Sequence, residues 1–144
     1  MMLIDASVII AVLNRDPDAA QFETAIDEMH GKLRVSPLAV YEATLGLARA
    51  RSGPGRNSTP ASITLAQAAV RAFVEDNDIQ EVGVTPEIGE HAIDAAARYG
   101  KAAGHPADLN FGDCFAYACA KALGVPLLYK GDDFGHTDIE SALG

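Results

Sequence analysis

Cysteine and basic side chains are both scarce in this sequence, and each scarcity excludes a class of protein. Cys114 and Cys119 are the only two cysteines, and because they lie five positions apart on one predicted helix, their side chains diverge too far to bond. A disulfide framework is therefore excluded, and the pair is typical of buried thiols in a reducing cytosol. Eleven Lys and Arg stand against twenty Asp and Glu, for a net charge of −9, which argues against a broad basic face for nucleic acid.

Long apolar runs are missing as well. The N-terminal run at 8–13 is far shorter than the roughly 20 residues that a membrane span requires. No basic residue precedes this run and Asp5 stands just before it, so it does not have the pattern of a signal peptide. We therefore predict a soluble, cytoplasmic protein that does not enter a membrane.

The remaining composition is that of an ordinary globular protein, and one domain is predicted over 1–144. With 49% hydrophobic residues, a chain of 144 residues can bury roughly 70% of its unfolded surface around one core. Strand-like and helical patterns alternate along the chain. The predicted strands are 2–4, 33–35, 79–84 and 126–129, with at most one further edge strand around 137–139.

Helical patterns fill the intervals between these strands. They cover 6–13, 17–30, 63–77 and 86–101, two more helices begin after Ser36 and Asn110, and a flexible loop spans 52–62. This alternation predicts an α/β fold, with a parallel β-sheet of four to five strands flanked by helices on both faces. In such a sheet, ligand sites lie at the carboxyl ends of the strands.

Asp113 is an unexpected charge on a helix that is otherwise suited to packing. Asn110 is the predicted N-cap of that helix, and Asp113 falls in the first turn on the same stripe as Ala116 and Tyr117. Two interpretations remain open. Asp113 either completes a capping box by accepting a hydrogen bond from the Asn110 N–H, or it presents its carboxylate to a functional site.

Acidic residues are predicted to meet at the carboxyl edge of the sheet. Asp5 ends the first strand, Glu42 lies in the helix after the second, Asp113 precedes the fourth, and Asp132 and Asp133 follow it. Converging carboxylates repel one another and raise each other's pKa unless a cation lies among them. Ligands that are all oxygen favour Mg²⁺ or Mn²⁺, and one or two such ions can promote phosphodiester hydrolysis. Because metal ions then meet the phosphate, the negative net charge does not exclude a nuclease.

Four sequence features together resemble a known family. They are Leu-Ile-Asp-Ala-Ser at 3–7, Glu42 after a Ser-Pro helix start, Leu-Asn-Phe-Gly-Asp-Cys-Phe-Ala-Tyr-Ala at 109–118, and Leu-Leu-Tyr-Lys-Gly-Asp-Asp-Phe at 127–134. In this order they resemble the PIN-domain ribonucleases, specifically the VapC toxins of bacterial toxin–antitoxin pairs. The resemblance covers nearly the whole chain.

The resemblance implies a PIN-like fold, a homodimer, Mg²⁺- or Mn²⁺-dependent endoribonuclease activity on RNA, and a VapB-like antitoxin as partner. It assigns catalytic and metal-binding roles to Asp5, Glu42 and Asp113, which fall on the family's three acids, and it places Ser7 on the small polar residue near the first acid.

The fourth acid of the family pattern follows the last strand. Many members have a Thr-x-Asp pattern there, but this chain carries Lys130 at the Thr position. The alignment makes Asp132 the fourth catalytic and metal-binding acid and Asp133 its neighbour.

Other functions were compatible with parts of the pattern. A catalytically silent PIN-like module that only binds a partner is the main alternative. A receiver-like signalling domain also gathers acids at strand ends and has a Lys after a late strand, but no Asp follows the third predicted strand and Asp5 has no acidic neighbour. A haloacid-dehalogenase-like phosphatase would need a second Asp where Ser7 stands.

A small basic cluster lies apart from the acids. Arg49 and Arg51 are near a helix end, and Arg56 is in the loop that follows. The cluster is either an RNA contact or a solvated helix end.

Overall fold

A parallel sheet of four short strands forms the centre of the protein. In the computed structural model, which describes residues 1–144, the strands are β1 Met2–Ile4, β2 Leu33–Val35, β3 Gln80–Glu81 and β4 Leu127–Leu128. Their order is β3-β2-β1-β4, and all three pairings are parallel. The strands β2 and β3 thus follow one another on one side of β1, and β4 pairs with the other side of β1. This confirms the predicted α/β fold with a parallel sheet.

Six helices cover the sheet. They are α1 Ala6–Leu13, α2 Ala19–Glu28, α3 Pro37–Ser52, α4 Pro60–Asp76, α5 Pro86–Tyr99 and α6 Phe111–Leu123. Three of them begin with proline behind a hydroxyl N-cap, because proline is suited to the first helical position and the hydroxyl satisfies a free N–H. Two 3₁₀ turns, Lys101–Ala103 and Asp133–His136, complete the regular structure. None of the helices combines the length and apolar character needed to cross a bilayer.

Alternate strand residues supply two separate hydrophobic cores. Met2, Ile4 and Leu128 face a core shared with helices α1 to α4, whereas Leu3 and Leu127 face a core shared with α5 and α6. This alternation follows from the two-residue period of a strand. Both faces of the sheet are therefore covered, as predicted, and the strand ends are left to form a site.

Several predicted boundaries differ from the structure, most of them by one to three residues, and two differences are the most informative. The loop predicted at 52–62 is shorter, because α3 continues through Ser52 and a capping box between Thr59 and Ser62 starts α4 early. The third strand, predicted over 79–84, is paired only at Gln80–Glu81.

No edge strand forms around 137–139, within the prediction of at most one there. In its place the tail makes a single parallel bridge between Leu127 and Ser141. Local bonds compete with strand pairing there: the Ile139 N–H donates to the Thr137 hydroxyl, and the Tyr117 hydroxyl donates to the Asp138 carboxylate. The sheet consequently has four strands.

Candidate metal centre

Asp5 is placed by the end of β1 and the start of α1. Its backbone is extended (φ −80°, ψ 153°), which makes it the N-cap of α1, and its Oδ2 accepts hydrogen bonds from the Ser7 N–H at 3.1 Å and the Ser7 hydroxyl at 2.5 Å. The residue is only 6% exposed. Burial raises the pKa of Asp5, and the bonds from Ser7 offset part of that rise.

Ser7 connects Asp5 to the loop after β4. Its hydroxyl oxygen accepts from the Lys130 N–H at 3.0 Å while its proton is donated to Asp5. The Asp5 N–H in turn donates to the Leu128 carbonyl at 2.9 Å. The first and last strands and the loop that carries Asp132 and Asp133 are thus held in one hydrogen-bonded unit.

Glu42 reaches the same place from α3. It is half-buried, and burial, followed by the charges of Asp5 and Asp113, raises its pKa to about 7. Its carboxylate lies directly against Gly112 at the start of α6, where even a methyl side chain would overlap it. Glycine in a helix costs roughly 1 kcal/mol relative to alanine, so Gly112 is explained by the close approach of Glu42.

Asp113 both caps its helix and belongs to the acidic group. The Asp113 N–H donates to Asn110 Oδ1 at 2.9 Å, and the Asn110 N–H donates to Asp113 Oδ2 at 3.1 Å, which completes the capping box. Burial nevertheless raises the pKa of Asp113 to about 6; the Asn110 N–H opposes the rise, and the charges of Asp5, Asp133 and Asp108 add to it. The two interpretations open in the sequence are therefore compatible.

The three acids line one cleft of about 400 Å³. Ser7, Tyr41 and Arg49 are also in its wall. No Lys or Arg forms an ion pair with Asp5, Glu42 or Asp113. The charges of Asp5 and Asp113 raise the pKa of Glu42, and the charge of Asp5 raises that of Asp113, so the acids repel one another without an ion-pair partner.

The two candidates for the fourth acid differ in their effect on the cleft. Asp132 precedes the 3₁₀ turn Asp133–His136 and makes no side-chain cap bond. Asp133 is among the acids whose charge raises the pKa of Asp113, and Asp132 is not. The charge of Asp133 thus acts on the cleft, while the assignment of metal binding to Asp132 stays a prediction.

Lys130, at the threonine position of the family pattern, directs its side chain away from the cleft acids. Its Nζ lies 3.0 Å from Asp16 Oδ2 and 3.1 Å from Asp18 Oδ1, so it binds the segment between α1 and α2. The hydrogen bond from Lys130 lowers the pKa of Asp16. The Lys130 side chain is therefore directed to a second acidic cluster, and only its backbone reaches Ser7.

The donor set suits a hydrated hard cation. No three His, Cys, Asp or Glu side chains lie close enough together to hold one metal ion among them. Mg²⁺, however, is commonly held by one or two carboxylates and keeps several waters. Asp5 Oδ1 accepts no hydrogen bond and is not sealed from solvent, so it is available as an oxygen ligand. The oxygen donors and the unrelieved repulsion therefore fit Mg²⁺ or Mn²⁺.

Sequence reasoning did not identify Gly112, Asp108 or the full role of Ser7. A glycine directly before the key acid was visible in the motif, but its partner Glu42 is far away in the chain. Asp108 has a left-handed backbone (φ 54°) in the loop before α6, and no sequence pattern pointed to its effect on Asp113.

Known proteins resemble this chain over nearly its whole length. The PIN domain family model matches residues 2–140. A VapC ribonuclease of Rhizobium meliloti (strain 1021) is 45% identical over 141 residues, covering 96% of this chain and 99% of that protein. Ribonuclease VapC30 of Mycobacterium tuberculosis (strain ATCC 25618 / H37Rv) is 41% identical over 139 residues, covering 96% and 95%.

Solved structures share the fold at low sequence identity. The sarcin-ricin loop cleaving toxin VapC20 of Mycobacterium tuberculosis superposes with a TM-score of 0.73 at 16% identity, covering 96% of each chain. A chain of a toxin–antitoxin complex from Klebsiella pneumoniae gives 0.62 at 15% identity, covering 93% of this chain and 90% of that one. With this fold, the acids at the carboxyl edge of its sheet and the full-length identity to curated relatives, the chain belongs to the PIN domain family, among the VapC ribonucleases.

Proposed function

We propose that this protein is a metal-dependent endoribonuclease, the toxin of a type II toxin–antitoxin pair, which hydrolyses RNA phosphodiester bonds. One observation carries the proposal: Asp5, Glu42 and Asp113 come from three separate elements into one cleft, where the charges of Asp5 and Asp113 raise the pKa of Glu42 and none of the three acids has an ion-pair partner. Such repulsion lowers the stability of the folded protein unless a divalent cation neutralises it.

Asp5, Glu42, Asp113 and an acid of the loop after β4, assigned to Asp132, would hold one or two Mg²⁺ or Mn²⁺ ions. When bound, the metal supplies Lewis acidity toward a phosphate oxygen and lowers the pKa of water. Ser7 orients Asp5 by occupying Oδ2, which leaves Oδ1 for the cleft. The contact with Gly112 and the cap at Asn110 fix the positions of the other two carboxylates.

The proposed partner is a VapB-like antitoxin. A basic side chain of that partner would replace the metal charge, because an Arg can form charge-assisted bidentate hydrogen bonds among the carboxylates. The solved toxin–antitoxin complex of a protein with this fold supports such a pair. If the complex kept full metal affinity and full cleavage, this mode of inhibition would be wrong.

A homodimer and a cytoplasmic location belong to the same proposal. An apolar groove of about 850 Å³ lies between α5 and α6, with Ile93 66% exposed and Phe111 71% exposed at its wall. Exposed large apolar side chains in one groove are typical of interaction surfaces, and a second copy is the occupant that the family implies. The two buried free thiols support a reducing compartment.

Cleavage of defined RNAs tests the proposal directly. A gel assay with Mg²⁺, with Mn²⁺ and with EDTA should show fragments only when metal is present, and the activity should return when metal is restored after chelation. Undiminished cleavage in EDTA would exclude the metal mechanism.

A silent partner-binding module is the second candidate, and one observation favours it. No three candidate ligands are close enough together to hold an ion. A thermal melt with increasing Mg²⁺ separates the two functions, since only a metal-binding site raises the melting temperature in a saturable way. A silent module should show neither the saturable shift nor RNA cleavage.

A further inference from the structure

The acids of this protein are unevenly distributed along the chain. With twenty Asp and Glu in the whole sequence, residues 43–74 contain none, while the same stretch carries Arg49, Arg51, Arg56 and Arg71. Arg71 pairs with Glu81 at 3.0 Å. The other three form no ion pair with any carboxylate. An acidic protein thus keeps one local excess of unpaired positive charge.

Two of these arginines face one groove. The groove has a volume of about 860 Å³ and lies between the C-terminal end of α3 and the following loop, and its wall includes Arg49, Arg56, Asn57 and Ser58 but no acid. Arg51, which lies on α3 with Arg49, is not part of the wall. The groove therefore combines positive charge with side-chain hydrogen-bond donors.

The groove adjoins the acidic cleft. Leu45 and Arg49 line both, so that Arg49 stands at the boundary between the two. Gly53 and Gly55 form part of the far wall, and the space beside their Cα atoms is open. A ligand can therefore approach the backbone of this loop closely, and Arg49 lies within reach of both the groove and the cleft.

We propose that this groove binds the sugar–phosphate backbone of the RNA strand beside the cleaved bond, with Arg49 and Arg56 each neutralising a phosphate. The inference rests on the proposed function, since it assigns the path of that substrate. An extended polyanion suits the site, because it would leave phosphates at the arginines while presenting the next one to the cleft. Contacts of this kind position the strand and carry no base specificity.

Salt-dependent RNA binding tests this path. A fluorescein-labelled single-stranded RNA of 12 mixed nucleotides serves as probe, with Mg²⁺ present and Asp113→Asn as the background that keeps the RNA intact. Anisotropy is measured from 50 to 300 mM NaCl. Adding Arg49→Gln and Arg56→Gln together should lower the slope of log K against log[NaCl] by about 1.4 and weaken binding roughly 25-fold at 0.1 M salt.

Arg51→Gln is the matched control, because it removes the same charge from the same helix outside the groove. It should change the slope by less than half as much as either groove substitution alone. The pair Arg49→Lys and Arg56→Lys should keep the slope of the background protein, since the charge is retained. In cleavage by the otherwise unmodified protein, the two Gln substitutions should raise KM more than they lower kcat.

The inference is overturned if the background protein does not bind the RNA, or if the Arg51→Gln control lowers the slope as much as the groove pair does. It is also overturned if the groove pair leaves RNA binding intact but abolishes binding of a poly-glutamate peptide, which would make the groove a protein-binding site. Because the readout is binding, these outcomes are distinct from a failure of metal-dependent cleavage.

Discussion

Two acidic clusters of this protein are both linked to Lys130, one through its side chain and the other through its backbone N–H and Ser7, and they behave in opposite ways. In one, Lys130 Nζ lies within 3.1 Å of both Asp16 and Asp18, and the pKa of Asp16 is lowered. In the other, Asp5, Glu42 and Asp113 share a cleft without an ion-pair partner, and all three pKa values are raised. The chemical groups are the same, and two things differ: the cleft acids are more deeply buried, which raises their pKa values, and only Asp16 and Asp18 have a cation beside them.

The contrast shows why counting acids does not locate a metal site. Asp16 and Asp18 are as close in sequence as many ligand pairs, but the chain supplies their counter-charge itself. The cleft acids are held in place by Ser7, Asn110 and the contact with Gly112, none of which brings a full positive charge. Carboxylates that are held in position but have no counter-charge are the ones that a divalent cation would bind.

Removing one cleft acid should abolish cleavage, whereas removing a paired acid should not. Asp113→Asn is expected to lower kcat/KM more than roughly 100-fold, since loss of even an outer-shell partner of a metal costs roughly 10- to 100-fold. Asp16→Asn, in the neutralised cluster, is the matched control and should stay within several-fold of the parent. Equal losses in the two variants, measured on the same RNA, would remove the functional distinction between the clusters.

The loop after β4 should supply one acid to the cleft. With Asp132 as the ligand, Asp132→Asn should lower cleavage by roughly 10- to 100-fold, and Asp133→Asn should lower it less. A larger loss at Asp133 would transfer the role to that residue, in keeping with its effect on the pKa of Asp113. Single-turnover cleavage rates of the two variants at saturating Mg²⁺ decide between them.

The parts of the fold and the site that could be predicted from sequence are those with local signals. The sheet and helices followed from alternating patterns, and Asp5 and Asn110 were marked by strand-end and N-cap positions. Glu42 against Gly112 and Lys130 against Asp16, 114 positions away, depend on packing between distant segments. No local pattern encodes such contacts, and the same is true of the side-chain bonds that replaced a strand at 137–139.

Metal should reverse the energetic cost of the cleft. At a free Mg²⁺ concentration of 100 times its Kd, the parent should gain about 2.7 kcal/mol in the free energy of unfolding, and Asp113→Asn should lose that gain. In EDTA, Asp113→Asn should be as stable as the parent or more stable, by on the order of 1 kcal/mol, because relief of repulsion and burial outweighs the lost cap charge.

Urea melts with and without Mg²⁺ provide the measurement. A variant that is clearly less stable than the parent in EDTA, yet stabilised by Mg²⁺ as the parent is, would leave Asp113 with the role of a helix cap alone.

The metal-free cleft should also make stability fall as pH rises. Glu42 has a pKa of about 7 in the folded protein against an ordinary value of 4.5, so the folded state binds more protons between these values. The contribution of Glu42 to the free energy of unfolding therefore declines from about pH 4.5 to pH 7. In EDTA, Glu42→Gln should gain stability relative to the parent across this window, and Mg²⁺ should reduce the difference by favouring the charged carboxylate. A constant difference between the two proteins would contradict the raised pKa.

In the cluster of Asp16, Asp18 and Lys130, loss of the cation should reduce stability only slightly, and the pH dependence should have the opposite sign to that of Glu42. Lys130→Gln removes the cation from Asp16 and Asp18, but because these groups are near the surface the loss of stability should be small and should shrink in high salt. The lowered pKa of Asp16 means that its contribution to stability is present above its ordinary pKa and is lost as pH falls through the folded value.

Cleavage by Lys130→Gln should change far less than cleavage by Asp113→Asn, since the Lys130 N–H that holds Ser7 belongs to the backbone. Urea melts at pH 7 and pH 3, at low and high NaCl, provide the comparison, and a Lys130→Gln protein as inactive as Asp113→Asn would show that the two clusters form one site.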